Sequence, residues 1–290
     1  MDFKTYENQL NEPYLYNPID ISVGFYGLFS YRNNAWEHVL ASIRNYYPDA
    51  PIVLINDGTE QFDYTEMAKK YNCIFVPKDR TICTYFLNIG DCHEFLHRTK
   101  EACDLVKTDW IIHLHPDVIC QGKISYYPPS ELCGVGAGSN TGKSANNWTE
   151  SWAIKDYGNI PSYIRKYQPN VEINGWGWCG GSIMKCDAFY KVYDSVYGDK
   201  PMFSLDKIKN ETKSPVTTSE DTIIPLLFNI NGYSYRIWKD NPEYHRGRRD
   251  GAFLHGYKEH YGLNAEGLSI SDYYKKLREE TIERNLKNKL

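Results

Sequence analysis

Four short apolar runs separated by helical patterns occupy the first 120 residues, and this alternation constrains the fold more than any other feature of the chain. Ile21 to Tyr26 has the composition of a strand, and Asn34 can cap a helix through Ala35 to Ile43 that ends before Pro48. Pro51 to Gly58 is a second strand running into a turn. Phe62 to Tyr71 has a helical pattern, and Cys73 to Val76 is a short strand. A helix from about Ile89 to Val106 leads into a fourth run, Asp109 to Asp117. Strands that alternate with helices in this way predict a parallel sheet joined by right-handed crossovers.

The fourth run, Asp109-Trp110-Ile111-Ile112-His113-Leu114-His115-Pro116-Asp117, stops abruptly on a proline and an acid. Ligands of open α/β sheets collect at the carboxyl ends of the strands, so Asp117 is expected on a functional rim. A carboxylate aimed by a stiff proline suits a divalent cation carrying phosphate oxygens, although an acid that merely turns the chain leaves the same trace. The second strand also ends in an acid, Asp57. In a parallel sheet both lie on the same edge.

Bulk properties narrow the field. A chain of 290 residues without a long linker is large enough for a substantial core, in one large domain or two tightly joined ones. A net charge of -4 gives no electrostatic case for nucleic acid. No apolar run approaches the roughly 18 residues of a membrane span, and Met1-Asp2-Phe3-Lys4 opens no signal peptide, so a soluble, cytoplasmic protein is expected. The eight cysteines (73, 83, 92, 103, 120, 133, 179 and 186) form no Cys-x-x-Cys pair and read as reduced core thiols. The sequons at Asn147 and Asn210 carry no weight without secretion. Twenty-five Tyr and 7 Trp supply most of a 15% aromatic fraction, a supply of amphipathic rings for core, interfaces and flat polar ligands.

Three motifs compete for the chemistry. His93-Glu94-Phe95-Leu96-His97 matches the zinc peptidase pattern, with both imidazoles on one helical face. Lys100 stands where the longer form needs Gly, and the helix lies inside a β-α-β succession, so the simpler reading is a solvent-facing pair opposite a Cys92, Leu96, Cys103 core stripe. Ala137 to Ser144 imitates a phosphate-binding loop, but Pro128-Pro129 breaks the approach and Ala145 to Trp148 opens a helix poorly. Gly175-Trp176-Gly177-Trp178-Cys179-Gly180-Gly181 fits no dinucleotide fingerprint and reads as a mobile or close-approach loop bearing two indoles, or as a tight turn with core Trp.

Downstream, Ser219-Glu220-Asp221 puts paired carboxylates in the first turn of an apolar helix, with Ser219 as candidate cap, a position that acids favour in any case. Gly251 to Lys258 then offers an imidazole, His255, and an amine.

In this order the motifs resemble those of GT-A type glycosyltransferases. Ile55-Asn56-Asp57-Gly58-Thr59 corresponds to the nucleotide-contacting acid, and His115-Pro116-Asp117 to the Asp-x-Asp metal motif in its x-Pro-Asp form, as in bacterial-type members. The loop Gly177 to Gly181 running into Ser182-Ile183-Met184-Lys185, the acid pair Glu220-Asp221 and the late His255 follow. The resemblance spans roughly Ile21 to Gly262, and its specificity lies in the order, each motif being weak alone. One departure is plain: His115 stands where the motif has its first acid, leaving Asp117 as its single carboxylate.

The resemblance implies a Rossmann-like three-layer α/β/α sandwich with a mostly parallel central sheet. It implies one domain over residues 1–265, with a nucleotide-sugar half at about 18–120 and an acceptor half at about 121–265, followed by a charged helix over 266–290 that could pack on the domain, pair with another subunit or lie free. Asp57 would contact the base or ribose of a nucleotide sugar, flanked by Phe25 and Tyr26. Asp117 and His255 would hold Mn²⁺ or Mg²⁺ across the diphosphate beside His115, with Lys258 offsetting leaving-group charge. Asp221, paired with Glu220, would take the acceptor proton, which implies inversion at the anomeric carbon. Trp176, Trp178 and Gly180, with Trp148 and Trp152 as weaker candidates, would contact the acceptor. The implied function is a metal-dependent glycosyltransferase using a nucleoside diphosphate sugar, most plausibly a UDP-sugar, on a glycan, glycolipid or small glycoside. A catalytically silent carbohydrate-binding protein on the same scaffold is the alternative, and a zinc peptidase through His93 and His97 a minor one.

Overall fold

A computed structural model of the chain describes residues 17–29, 33–56, 64–78, 82, 89–134, 160–171, 178, 180–212, 220–241 and 251–255; for residues 29, 33–35, 56, 221, 237 and 255 it describes the backbone alone. The amino-terminal half alternates strand and helix as the patterning predicts. β1 is Val23–Phe29, α1 Asn33–Tyr46, β2 Ile52–Asn56, α2 Thr65–Lys70, β3 Ile74–Val76, α3 Ile89–Val106 and β4 Trp110–Leu114. β1 pairs in parallel with both β2 and β4, and β2 with β3, so β2 and β4 end on the same edge of the sheet.

The period of two along each strand sorts side chains onto two faces. Phe25, Ile52, Leu54, Trp110, Ile112 and Leu114 enter one core, against Trp36, Val39, Leu40 and Ile43 of α1. Those α1 positions recur at helical spacing, which gives the helix its single buried stripe. Tyr26, Val53, Ile55 and Ile111 enter a second core on the opposite face, against Cys92, Phe95, Leu96, Ala102, Cys103 and Val106 of α3. Both helix ends follow a left-handed capping pattern: Asn72 after α2 has φ 49° and Lys107 after α3 has φ 52°. Arg44 near the end of α1 staples the first layer. Its guanidinium donates to the carbonyls of Tyr71 at 2.7 Å, Asn72 at 2.8 Å, Tyr47 at 3.0 Å and Ala50 at 2.7 Å, linking α1, the approach to β2 and the turn before β3.

Beyond β4 the elements shorten. β5 is Val118–Cys120, β6 Leu132–Gly134, α4 Ile160–Tyr167, β7 Ile183–Lys185, α5 Cys186–Tyr197, α6 Leu205–Thr212, α7 Glu220–Ile230, β8 Tyr235–Ile237 and β9 Phe253–His255. The central sheet has seven strands in the order β3-β2-β1-β4-β7-β6-β8. It is mostly parallel, and β7 runs antiparallel to both of its neighbours. Residues of α4, α5, α6 and α7 join α3 in the second core, so helices cover both faces of the sheet. This is the mixed α/β sandwich expected. A separate ladder joins β5 to β9 antiparallel, with Val118 opposite His255.

Six of the eight cysteines fall among the described residues and all are free thiols; Cys83 and Cys179 lie outside them. Burial pushes the Cys133 thiol up to about 12 and that of Cys73 up to about 11, which keeps both protonated and unreactive near neutrality. No helix among the described residues is long and apolar enough to cross a membrane. The 266–290 segment and the loop imitating a phosphate site, Ala137 to Ser144, lie outside the described residues.

Candidate active site at the end of strand β4

His113, His115 and Asp117 project from the end of β4 and the turn after it. All three are buried. The odd-numbered residues of β4 face the α3 side of the sheet, and this alternation delivers His113 beside its register partner on β1, Tyr26. The two rings stack at 4.7 Å between centroids and 16° between planes. His113 also lies near-parallel to Trp178, at 5.4 Å and 10°, and the Trp178 indole N–H donates to the Tyr26 hydroxyl at 3.3 Å, so the two rings are hydrogen-bonded to each other against the imidazole. The hydrogen-bonded pair of rings therefore holds the plane of the imidazole. Burial drives the Tyr26 hydroxyl far above the usual phenol range, so it stays a neutral hydrogen-bonding group.

The chain turns at Pro116, with the Val118 amide donating to the His115 carbonyl at 3.2 Å. His115 has carboxylates on both edges: its Nε2 is 2.9 Å from Glu220 Oε1, and its Nδ1 is 3.9 Å from Asp117 Oδ1. Glu220 opens α7, where the positive end of the helix dipole favours an acid. Asp221 follows it in the same turn; its side chain lies outside the described residues.

The glycine loop is built for close approach. The Gly181 amide donates to the His113 carbonyl at 2.7 Å, and the His113 amide to the Ser182 carbonyl at 2.9 Å, which docks the segment on β4. A Cβ on Gly180 would stand 2.3 Å from Val118 Cγ2 and 2.7 Å from His115 Cβ, so any larger residue would push on the His-Pro-Asp turn. Gly181 has φ +83°, where L side chains are strained, and Asn241 packs against it while donating to the Gly180 carbonyl at 3.3 Å.

Two expectations change. Phe25 is fully buried on the opposite face of the sheet, its ring centroid 5.3 Å from that of Tyr47 and 6.0 Å from that of Phe253, so no face remains for a nucleotide base. Trp178 is fully buried in the His113 stack, and Tyr26 is fully buried beneath the same imidazole; these rings orient His113 instead of presenting surfaces to acceptor and base. The structure draws Gly180, His115, Asp117 and Glu220 together. It also sets the backbone of His255 opposite Val118, one residue from Asp117, with the His255 side chain outside the described residues. Asp57, Lys258, Trp148, Trp152 and Trp176 lie outside the described residues.

His113 is a site residue that no motif marks. The signal was present: His113, His115 and Asp117 follow at intervals of two, which a strand turns into one face. Among the described residues, His113, His115 and Glu220 form a group whose ligand atoms lie within 4.8 Å of one another, and two imidazoles with a carboxylate suit Mn²⁺ and later transition ions better than Mg²⁺.

The zinc peptidase pattern resolves differently. His93 Nδ1 meets the Tyr197 hydroxyl at 2.7 Å and His97 Nδ1 the Tyr193 hydroxyl at 2.6 Å, while Cys92, Leu96 and Cys103 fill the core as expected. The pair thus docks α3 on α5 instead of facing solvent alone.

No protein-family model matches the chain. No curated protein matches it. Among solved structures it is similar to a cytidylyltransferase from Leptospira borgpetersenii serovar Hardjo-bovis (strain JB197), at 13% identity, covering 92% of this chain and 96% of that one with a TM-score of 0.40. It is also similar to the mannosyltransferase PcManGT from Pyrobaculum calidifontis in complex with GDP-Man and Mn²⁺, at 9% identity and a TM-score of 0.42, covering 82% of this chain and 61% of that one. The chain therefore spans about three fifths of that mannosyltransferase's length.

Proposed function

We propose that this chain is an inverting glycosyltransferase that moves a sugar from a nucleoside diphosphate sugar, a UDP-sugar in the first instance, to a hydroxyl of a glycan or glycoconjugate. The observation that carries the reading is convergence. The His115-Pro116-Asp117 turn, the first turn of α7 with its acid pair, and the backbone of His255 adjoin one another at the carboxyl end of β4, although they lie far apart in sequence. Strand ends of an α/β sheet are where such a site is built.

Each residue then has a task. Asp117 and His255 would hold the divalent cation, which when bound neutralises diphosphate charge as the leaving group departs. Asp57 would contact the base or ribose, and Lys258 would add positive charge at the diphosphate. Asp221 would accept the proton of the acceptor hydroxyl while that oxygen bonds to the anomeric carbon and the bond to the diphosphate oxygen breaks, which inverts the centre. Glu220, held on His115 at 2.9 Å, acts as a positioning residue for the turn that carries Asp221. Gly180 permits close approach to His115, and Trp176, with Trp148 and Trp152 as weaker candidates, would stack on the acceptor. Exclusion of water favours transfer over hydrolysis.

The test is a panel of UDP-, GDP- and dTDP-sugars incubated with the protein, with Mn²⁺ or with a chelator, reading released nucleotide. Metal-dependent turnover of one donor is expected. Asp221→Asn should then lower transfer by roughly 10² to 10⁴-fold with donor affinity nearly intact in calorimetry. An active Asp221→Asn enzyme removes that residue from the base role, and absence of both turnover and donor binding overturns the reading.

A further inference from the structure

His115 divides the site into two edges. Its Nδ1 edge faces Asp117, the residue assigned above to the donor's cation, and its Nε2 edge faces Glu220. His113, which that assignment leaves unused, brings a ligand atom within 4.8 Å of those of His115 and Glu220. We propose that His113, His115 and Glu220 form a second, buried site for a borderline divalent ion of the zinc or cobalt kind, distinct from the cation that would bind at the diphosphate.

Donor chemistry, spacing and preorganisation point the same way. Two imidazoles and a carboxylate are a donor set that zinc takes up with an additional water or ligand, whereas Mg²⁺ demands oxygen donors and an octahedral shell. All three residues are more than nine-tenths buried, at 1%, 8% and 3% exposure. Adjacent donors on an ion bound at roughly 2.0–2.2 Å stand about 3 to 3.5 Å apart, close to the 2.9 Å between His115 Nε2 and Glu220 Oε1. The Tyr26 and Trp178 rings fix the plane of His113, and the flanking backbone bonds to Gly181 and Ser182 fix its strand, so little order remains to be imposed on binding.

Such an ion would have a structural task. It would tie the first turn of α7, which carries Asp221, to the strand end that carries Asp117, setting the distance between base and donor cation. The site stands independently of the transferase reading, because neither its ligands nor its test involves a nucleotide sugar.

The experiment is titration of the full chain, stripped of metal by chelation, with Co²⁺ followed by visible absorption, thermal melting and metal analysis. A d–d band saturating at one buried ion per chain is expected, retained in excess Mg²⁺ and in Asp117→Asn. His113→Gln and Glu220→Gln should each weaken binding by more than the roughly 100-fold upper range for losing an outer-shell partner. Co²⁺ should raise the melting temperature of the wild type and of Asp117→Asn, and leave that of the other two variants unmoved. Circular dichroism of the metal-free variants separates loss of a ligand from loss of fold, and the Mg²⁺ competition on the unaltered protein stands apart from any variant. No band in the wild type, displacement by Mg²⁺, a band that survives both ligand substitutions, or one lost with Asp117→Asn alone would each overturn the proposal. A silent donor panel beside a positive Co²⁺ titration would sink the transferase reading and leave this site intact.

Discussion

Two histidine pairs make the most instructive contrast in the molecule. His93 and His97 sit four apart on α3, the spacing of a known zinc motif, and each passes its Nδ1 to a tyrosine of α5. His113 and His115 sit two apart at the end of β4 and are buried beside Glu220 and Asp117. His97 is exposed and His93 half-buried, so water competes for every contact of the first pair. The second pair has traded water for aromatic rings and carboxylates, where electrostatic contacts are several times stronger. Spacing decides which groups can meet; burial decides what the meeting is worth.

The sharpest way to break the contrast is to remove the clamp on the buried pair. Trp178→Ala deletes a fully buried indole, its contact with His113 and its hydrogen bond to Tyr26, and should cost about 3–5 kcal/mol in urea denaturation. A loss below about 1 kcal/mol would show that the site is loosely held and the contrast overdrawn. Next in size is Gly180→Ala, which places a methyl 2.3 Å from Val118 Cγ2 and 2.7 Å from His115 Cβ. Overpacking of that kind should cost about 1–3 kcal/mol, with a further loss of donor turnover as the His-Pro-Asp turn shifts; unchanged stability and turnover would show that the turn yields freely.

On the helical pair the effects should be smaller. Tyr197→Phe removes the hydroxyl that meets His93 and keeps the ring, so a change of about 1 kcal/mol or less is expected from the same denaturation measurement. The smallest effect is on pH dependence. Partial burial holds the His93 pKa below its ordinary 6.5, with like charge at His97 adding to this and Asp206 opposing it. The unfolded chain therefore binds the proton more readily, so His93 favours folding above about 6.5 and that contribution fades as pH falls through and below this value. His93→Gln should flatten the acid side of the stability profile slightly, measured as urea midpoints from neutral to mildly acidic pH. A steeper acid side in the variant would reverse the sign.

Much of the first half of the fold was legible because most of its strands and helices are long enough to show a period, and the three-residue β3 falls in step with their alternation. The helix expected from about Ile89 to Val106 spans those residues, and the strand expected before Asp117 forms as β4. β6, β7 and β8 have three residues each, too few to reveal alternation, and their pairing joins segments distant in sequence. The antiparallel course of β7 was therefore hidden. At the site, Asp117 and Glu220 stood out from local signals, the strand-end turn and the helix start, and His115 from the resemblance, where it replaces the first acid of the motif. His113 escaped because a histidine inside an apolar run looks like core until its neighbours His115 and Glu220 are seen beside it. Phe25 was expected at the base from the resemblance, and Trp178 either at the acceptor or in the core; tertiary packing encloses both fully.

The β5–β9 ladder, finally, bears on how the molecule is made. Val118 waits for a partner 137 positions further along, from the register with His255. A ribosome adding about 5–20 residues per second leaves that gap open for roughly 7 to 27 s, during which the amino-terminal strands can already condense. The His-Pro-Asp turn is then the last part of the site to be braced. Nascent chains stalled short of β9 should carry an assembled β1–β4 core and an unfinished turn, which makes the turn the natural place for protease sensitivity during synthesis.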